Sequence, residues 1–303
     1  MSKISFLSQA QTELEEALES LVTPKLNTVY APLFASARYS LLAPAKRLRP
    51  LLLIATASTF TVPLSETILS ACAIEFIHTY SLIHDDLPCI DNDDMRRGKP
   101  TLHKAYPEWQ ALITGDYLLT YAFEILSSLP FHSVQQKLSL IQLFAKRSGA
   151  NGLIGGQVID LLIEKKNISW PILQQMHHGK TAALISAALE AGGILGKASD
   201  QDMQFLYNCG QKIGLGFQII DDLLDIEEEN KTTAVTLLGK ILPLYFSIIL
   251  GVISTSFLNC NKDTIAKILL FILGPLIVFN ATISVKFEPS VLFLPIFFFL
   301  LST

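Results

Sequence analysis

The order of apolar and polar residues is that of helices over most of the chain. From residue 9 to about residue 240, apolar side chains recur every three or four positions, as at Leu14, Leu18 and Leu21. This spacing places them on one face of an α-helix. Alternating β-branched runs joined by Asn-Gly turns, the signature of hairpins, are missing from this stretch. The pattern therefore predicts an all-α fold, built as a helical bundle.

Prolines divide this helical stretch into segments of ordinary helix length. Proline ends a helix or occupies its first turn, so each one marks a predicted boundary. The prolines that serve in this way are Pro44, Pro50, Pro63, Pro88, Pro107, Pro130 and Pro171. The segment 182–193 is rich in alanine and glycine, which permits close helix packing in a large core.

The composition changes abruptly after residue 240. Residues 241–303 carry only five charged residues and nine of the eighteen phenylalanines. An 18-residue apolar segment, 241–258, is about 27 Å long as a helix and just long enough to span a bilayer. Two interpretations are open: a membrane anchor, or a frameshifted reading of A/T-rich codons, which we favour. We predict one globular domain over residues 1–240 and an atypical hydrophobic tail over 241–303.

Bulk charge and cysteine usage exclude several classes of protein. The net charge is −4 and no long basic stretch is present, which argues against a nucleic-acid partner. The acidic residues that follow the first seven residues argue against a signal peptide. No CxxC pair occurs among the four scattered cysteines, which are Cys72, Cys89, Cys209 and Cys260. We therefore expect free thiols and a cytoplasmic protein, with membrane contact only if the tail is genuine.

Two acidic clusters lie against apolar helical runs, about half the chain apart. Asp221 and Asp225 are one turn apart and share a helix face. Asp85 and Asp91 flank Pro88, so a local bulge could return Asp91 to the face of Asp85. A single acidic run is usually a solvated loop, but two that abut the core need neutralisation. Mg²⁺ bridging a diphosphate would supply it.

Basic groups occur where a diphosphate would need them. Lys46 and Arg49 are three residues apart, and Arg96 and Arg97 directly follow the first acidic cluster. Guanidinium groups bind phosphate oxygens through paired hydrogen bonds. His78 lies two helical turns before Asp85 on the same face; such a histidine is usually an ordinary core residue, and the alignment with Asp85 modestly favours a functional role.

Two further motifs have weaker interpretations by themselves. Lys180 and Thr181 follow a glycine, but the sequence lacks the GxxxxGKT pattern of a P-loop. Gln157 and Asp160 share a helix face, and a polar network inside the bundle is the better interpretation of that pair.

Taken in order, these motifs match a known family. They are KRLRP at 46–50, HTYSLIHDDLPCIDNDDMRRGKPTLH at 78–103, GD at 115–116, GGQVID at 155–160, GKT at 179–181 and FQIIDDLLD at 217–225. Over roughly residues 5–240 the chain closely resembles the short-chain trans-prenyl diphosphate synthases, which make farnesyl or geranylgeranyl diphosphate. The resemblance implies an isoprenoid-synthase-type helical bundle around a deep central cavity, usually as a homodimer.

The resemblance also implies a role for individual residues. It assigns Mg²⁺ to Asp85, Asp91 and Asp221, with Asp86, Asp222 and Asp225 as further or water-mediated ligands. It implies that isopentenyl diphosphate is bound by Lys46, Arg49, His78 and Arg97. It assigns the allylic diphosphate to Arg96, Lys180, Thr181, Gln218 and Lys231, of which Arg96, Lys180, Gln218 and Lys231 are also the predicted catalytic residues.

The implied reaction is a Mg²⁺-dependent, head-to-tail condensation of dimethylallyl or geranyl diphosphate with isopentenyl diphosphate. Tyr80 lies about 7.5 Å along the helix axis from Asp85, and in the family a large aromatic at this position resembles the cavity floor of a farnesyl-type enzyme. The resemblance thus favours the fifteen-carbon product, with the twenty-carbon one as the alternative. Replacement of Tyr80 by alanine is expected to lengthen the product.

Three departures from the family pattern keep other functions open. Pro44-Ala45 replaces the paired glycines that usually precede KRLRP. The loop after Asp225 is shorter than in the family and leaves Lys231 as its one lysine. The tail replaces the helices that should close the bundle. The rival hypotheses are a terpene cyclase and a catalytically inactive, membrane-tethered subunit that regulates a partner. The two basic motifs argue against a cyclase, and both retained acidic clusters argue against an inactive subunit.

Overall fold

The computed structural model describes residues 3–23, 28–163 and 168–229. Helices account for most of these residues, so the predicted all-α fold is confirmed. The helices are α1 (Lys3–Leu21), α2 (Ala31–Leu41), α3 (Leu48–Thr59), α4 (Leu64–Asp85), α5 (Leu102–Ala105), α6 (Glu108–Ser127), α7 (Val134–Ser148), α8 (Leu153–Ile163), α9 (Trp170–His177), α10 (Ala183–Leu195) and α11 (Asp200–Glu229). A π-helical turn, His178–Ala182, joins α9 to α10.

The helix boundaries follow the prolines. Pro63 and Pro107 are the N-cap residues of α4 and α6, and Pro171 lies in the first turn of α9. Helix α7 begins differently, because the Ser133 hydroxyl accepts a hydrogen bond from the backbone N–H of Gln136 in a capping box. Local sequence chemistry is therefore enough to explain where these helices start.

The core is organised around α4 and α10. Helix α4 packs along α6 and α3, and its buried side chains include Phe76 and Ile77. Helix α10 is the predicted small-residue segment and is buried along nearly its whole length. At Gly192 an added Cβ would lie 2.6 Å from the Thr56 Cβ of α3, closer than side-chain carbons approach. Glycine at this position thus permits the close α3–α10 contact.

One short β-hairpin interrupts the helices, and the sequence pattern did not predict it. Strands β1 (Met95–Arg96) and β2 (Lys99–Pro100) pair antiparallel around Arg97 and Gly98. Both turn residues have positive φ, 53° and 75°, as a two-residue type I′ turn requires. The Tyr39 hydroxyl donates to the Pro100 carbonyl at 2.8 Å, which ties the hairpin to α2. The hairpin holds both arginines beside the first acidic cluster.

Several predictions concern residues outside the described ranges. The 240/241 boundary, the tail, Cys260 and Lys231 all lie there. Within the described ranges, Cys72, Cys89 and Cys209 are free thiols, as expected. Among the helices described, none combines the length and the apolar character that a bilayer crossing requires.

Candidate active site

The first acidic cluster begins at the C-terminus of α4. Asp85 is the last residue of the helix, and the following loop folds back so that the Asp91 N–H donates to the Asp85 carbonyl at 2.9 Å. The Asn92 N–H donates to the Leu87 carbonyl at 3.1 Å and closes the loop. The structure therefore brings Asp91 beside Asp85, by the local bulge that Pro88 predicts.

Negative charge accumulates at this helix end. Burial raises the pKa of Asp85 to about 6, with Lys180 opposing the shift and Asp91 adding to it. Burial also raises the pKa of Asp91, which Lys180 lowers and Asp160 raises. These carboxylates and the lysine come from α4, its following loop, α8 and the π-helical turn. Four separate parts of the chain thus act on one site.

The second aspartate of the cluster, Asp86, is paired with Arg96 of the hairpin. Asp86 is only 3 % exposed, and the Arg96 Nε donates to its carboxylate at 2.6 Å. The Arg96 Nη2 also donates to Asp93 at 3.3 Å. Burial raises the pKa of Asp86 to about 6 although Arg96 opposes the shift. Arg96 therefore binds carboxylates of the acidic cluster in this structure.

Lys180 lies opposite the cluster, on the π-helical turn, and forms an ion pair with Asp160 of α8 at 2.5 Å. The close approach of the two elements depends on glycine, because a Cβ on Gly156 would fall 2.1 Å from the Lys180 backbone nitrogen. The next residue, Thr181, donates its hydroxyl to Gln218 of α11 at 2.7 Å. Lys180, Thr181 and Gln218 are thereby placed together.

The basic motif at 46–50 separates into two roles. Arg47 has φ 48° and is 2 % exposed. Its guanidinium donates to the buried Glu75 at 2.7 Å and to the partly exposed Glu15 at 2.7 Å. Lys46 precedes α3 and is exposed, whereas Arg49 lies in the first turn of that helix.

Arg49 and His78 meet across α3 and α4. The Arg49 Nη1 lies 3.2 Å from the His78 Nε2, and because a guanidinium only donates, this nitrogen is the acceptor. Burial lowers the pKa of His78 well below its usual value, and the positive charges of Arg49 and Arg97 lower it further. His78 is therefore held as a neutral acceptor beside several guanidinium groups.

Arg97 occupies the hairpin turn and lines a pocket between α2, α4 and the hairpin. Thr79, Asp86 and Tyr39 line the same pocket. Thr79 and Asp86 each follow His78 and Asp85 by one residue, about 100° around the helix, so they face another direction.

Tyr80 is buried one helical turn before His84 and lies against its ring. The two ring centroids are 5.7 Å apart and the planes cross at 79°. Only 4 % of Tyr80 is exposed, and its hydroxyl has no hydrogen-bond partner within the described part of the chain. The position agrees with a wall or floor role, and its effect on product length stays a prediction.

The second acidic cluster lies in α11, whose backbone is helical through Glu229. The side chains of Asp221, Asp222 and Asp225 lie outside what the structure describes, as does Lys231. Among the side chains that are described, no three acidic, histidine or cysteine groups converge as a metal site. The facing of the two clusters therefore stays a prediction.

Sequence reasoning missed two residues of this region and undervalued a third. The sequence pattern assigns no role to Arg47, whose guanidinium binds Glu75 and Glu15. His84 was also given none. Asp160 was interpreted as part of a polar network, whereas it pairs with Lys180. Its signal was present in the i, i+3 spacing of Gln157 and Asp160.

Comparison with known proteins supports the same grouping of motifs. The sequence model of the family described as polyprenyl synthetase matches residues 31–240. The chain is 42 % identical over 225 residues to farnesyl diphosphate synthase of Bacillus subtilis (strain 168), covering 74 % of this chain and 75 % of that protein. It is 40 % identical over 242 residues to geranylgeranyl pyrophosphate synthase 7 of Arabidopsis thaliana, covering 78 % of this chain and 69 % of that protein.

Solved structures agree with these relatives. The crystal structure of a geranyltransferase from Helicobacter pylori 26695 superposes with a TM-score of 0.79 at 30 % identity, covering 91 % of this chain and 99 % of that one. An FPP/GFPP synthase from Zymomonas mobilis superposes with a TM-score of 0.77 at 37 % identity, covering 88 % and 96 %. With this fold, these motifs in this order and a family match over more than half its length, the chain belongs to the polyprenyl synthetase family.

Proposed function

We propose that this protein condenses dimethylallyl or geranyl diphosphate with isopentenyl diphosphate, head to tail, and releases farnesyl diphosphate. One observation carries the proposal: Asp85 and Asp91 lie side by side at the end of α4. The charge of Lys180 lowers the pKa of both carboxyl groups, and the charge of Asp160 raises the pKa of Asp91. Family membership and relatives that make fifteen-carbon or twenty-carbon diphosphates support it. Geranylgeranyl diphosphate is the alternative product.

The acidic cluster fits Mg²⁺ by its charge. Burial and neighbouring carboxylates raise the pKa of Asp85 to about 6, so its negative charge is only partly compensated. A divalent cation would compensate it, and Mg²⁺ prefers carboxylate oxygens with water and phosphate. Asp85 and Asp91 would hold the ion, with Asp221 as the third proposed ligand. When bound, Mg²⁺ supplies positive charge beside the departing diphosphate.

The cationic side chains would bind the two substrates on either side of this cluster. Thr181 donates to Gln218, and Lys180 is the preceding residue on the same turn; we assign these three with Arg96 and Lys231 to the allylic diphosphate. Arg49 and His78 form another group, which we assign with Lys46 and Arg97 to isopentenyl diphosphate. Positive charge at the departing diphosphate favours ionisation of the allylic C–O bond.

The remaining steps require the protein to exclude water and hold the partner alkene. The isopentenyl double bond attacks the allylic carbocation, a new C–C bond forms, and a proton then leaves to the released diphosphate. Apolar walls keep water from the cation. Tyr80 is buried in such a wall on α4, and we propose that it limits the growth of the product chain.

We propose in addition a cytoplasmic homodimer whose partners are prenyl diphosphates and not nucleic acid, with membrane contact only if the 241–303 tail is genuine. The surface that fits a second copy is on α6, where Trp109, Leu112 and Ile113 are 61 %, 46 % and 48 % exposed. Their spacing of three and four residues puts them on one helix face. Helix α6 is backed by α4 along its length, so this face is held rigidly.

Incubation with labelled isopentenyl diphosphate and an allylic diphosphate, followed by chromatography of the products, tests the proposal. We expect a fifteen-carbon product in the presence of Mg²⁺ and none after chelation. Asp91→Asn should lower kcat by roughly 10²–10³, the usual effect of removing one electrostatic partner of a transition state. Asp94→Asn is the matched control, because Asp94 pairs with Lys104 at the surface. Folded protein that makes no product with Mg²⁺ would contradict the proposal.

A further inference from the structure

His84 joins the last turn of α4 to α6. Its Nε2 lies 3.0 Å from the Leu112 carbonyl. A carbonyl oxygen only accepts, so Nε2 carries the hydrogen and the ring has one defined orientation. His84 immediately precedes Asp85, yet its ring is directed to the neighbouring helix. The predicted metal ligand and this interhelical contact therefore occupy consecutive residues.

The recess that receives the His84 ring is made by Gly115. A Cβ built on Gly115 would fall 2.1 Å from the His84 Nε2 and 2.4 Å from its Cδ2. No side chain, not even alanine, fits between the two helices without moving the imidazole. The GD motif at 115–116 thus has a steric reason for its glycine, independent of backbone conformation.

The other side of the His84 ring contacts Tyr80. The two residues are four apart on α4, and their rings meet edge to face at 5.7 Å. Edge-to-face aromatic pairs have a preferred geometry beyond that of simple burial. Within the described part of the chain the Tyr80 hydroxyl has no hydrogen-bond partner, so that ring is positioned by packing alone. His84 supplies one of the packing surfaces.

We propose that Gly115 and His84 are specificity-determining positioning residues: the glycine recess locks the imidazole, and the imidazole holds the Tyr80 ring where it limits product length. This role rests on the proposed function, because Tyr80 limits a product only if the chain elongates one. Its distinctive consequence is that a substitution in α6, away from the residues proposed to bind the two diphosphates, alters product length.

Two substitutions test this role. His84→Gln keeps an N–H for the Leu112 carbonyl but removes the ring against Tyr80. We expect the ratio of twenty-carbon to fifteen-carbon product to rise about two- to ten-fold. This is the change in a rotamer population that the loss of one aromatic pair's interaction free energy produces. Gly115→Ala displaces the imidazole instead and should change the ratio in the same direction. Tyr80→Ala is the reference variant, because it removes the ring itself and shows the product ratio expected when Tyr80 no longer limits chain length.

His132→Gln is the matched control. His132 also donates from Nε2 to a helix carbonyl, that of Glu66, at 2.9 Å. It makes no ring contact with Tyr80, so its substitution should leave the product ratio unchanged. A shift as large in His132→Gln as in His84→Gln would overturn the proposal.

A double-substitution cycle tests the contact itself by thermal unfolding. Gly115→Ala should lower Tm when His84 is present and should cost little in a His84→Ala background, where the recess is empty. Equal losses of Tm in both backgrounds would overturn the proposal. A second result would also overturn the proposal: His84→Gln and Gly115→Ala proteins that are active and keep the parental product ratio, although Tyr80→Ala lengthens the product. No product from the unaltered chain would overturn the proposed function and this role together.

Discussion

Neighbouring residues of one motif have opposite roles in this protein. Arg47 and Arg49 differ by two positions, yet Arg47 forms a buried ion pair with Glu75 and a second pair with the partly exposed Glu15, whereas Arg49 contacts His78. Arg47 combines a left-handed backbone with a buried side chain, whereas the neighbouring Lys46 is exposed. Of the basic residues in this motif, Arg47 therefore supports the fold, and Lys46 and Arg49 are the ones proposed to bind substrate.

The same substitution at these two positions should separate stability from substrate binding. Arg47→Met leaves Glu75 buried without its partner, and we expect a loss of about 3–5 kcal/mol in the free energy of unfolding. Arg49→Met should keep most of the stability and raise the KM for isopentenyl diphosphate about ten- to a hundred-fold, the effect of losing one charged hydrogen bond. Urea denaturation and steady-state kinetics measure the two. Equal stability losses in both variants would refute the division.

At the scale of elements, the site depends on a contact between α8 and the π-helical turn. Gly156 and Gly179 face each other there, since a Cβ on Gly179 would lie 2.8 Å from the Gly156 Cα. This approach sets the distance between Asp160 and Lys180. π-helical turns occur often at functional sites, and this one carries Lys180 and Thr181.

Gly156→Ala should damage both stability and turnover. Its Cβ would meet the Lys180 backbone nitrogen, so a backbone must shift, at a cost on the order of 1–3 kcal/mol. The displaced Lys180 should lower kcat as well. Val158→Ala, at an exposed position of the same helix, is the control and should leave kcat near the parental value. A Gly156→Ala protein with parental kcat would show that Lys180 tolerates the shift.

At the scale of the whole molecule, exposed apolar side chains lie on several of the described helices, among them α6 and α8. Those of α6 form the face proposed for a second copy, at the start of a 20-residue helix about 30 Å long. Those of α8 include Val158 and Leu161.

If the proposed homodimer forms through α6, Ile113→Glu should convert it to a monomer, because the substitution buries a charge in the centre of the proposed contact. Leu161→Glu changes a similarly exposed residue of α8 and should leave the dimer intact. Light scattering after size-exclusion chromatography gives both masses. A dimeric Ile113→Glu protein, or a monomeric parent, would exclude α6 as the subunit interface.

The sequence by itself determined the helical fold, the starts of several helices and the order of the motifs. These features depend on local periodicity, on proline geometry and on side-chain chemistry, all of which act within a few residues. They were enough to predict Asp91 beside Asp85, and the resemblance of the ordered motifs to a known family indicated the family.

Only the tertiary structure decided which motif residues meet. The inward Arg47, the Asp160–Lys180 ion pair, the Gly115 recess for His84 and the hairpin turn at Arg97 and Gly98 all involve residues far apart in the chain or unusual backbone angles. Sequence spacing carries no record of such contacts, because they arise when separate helices pack against each other. The physical reason is that packing selects among side-chain and backbone states that local preferences leave nearly equal in energy.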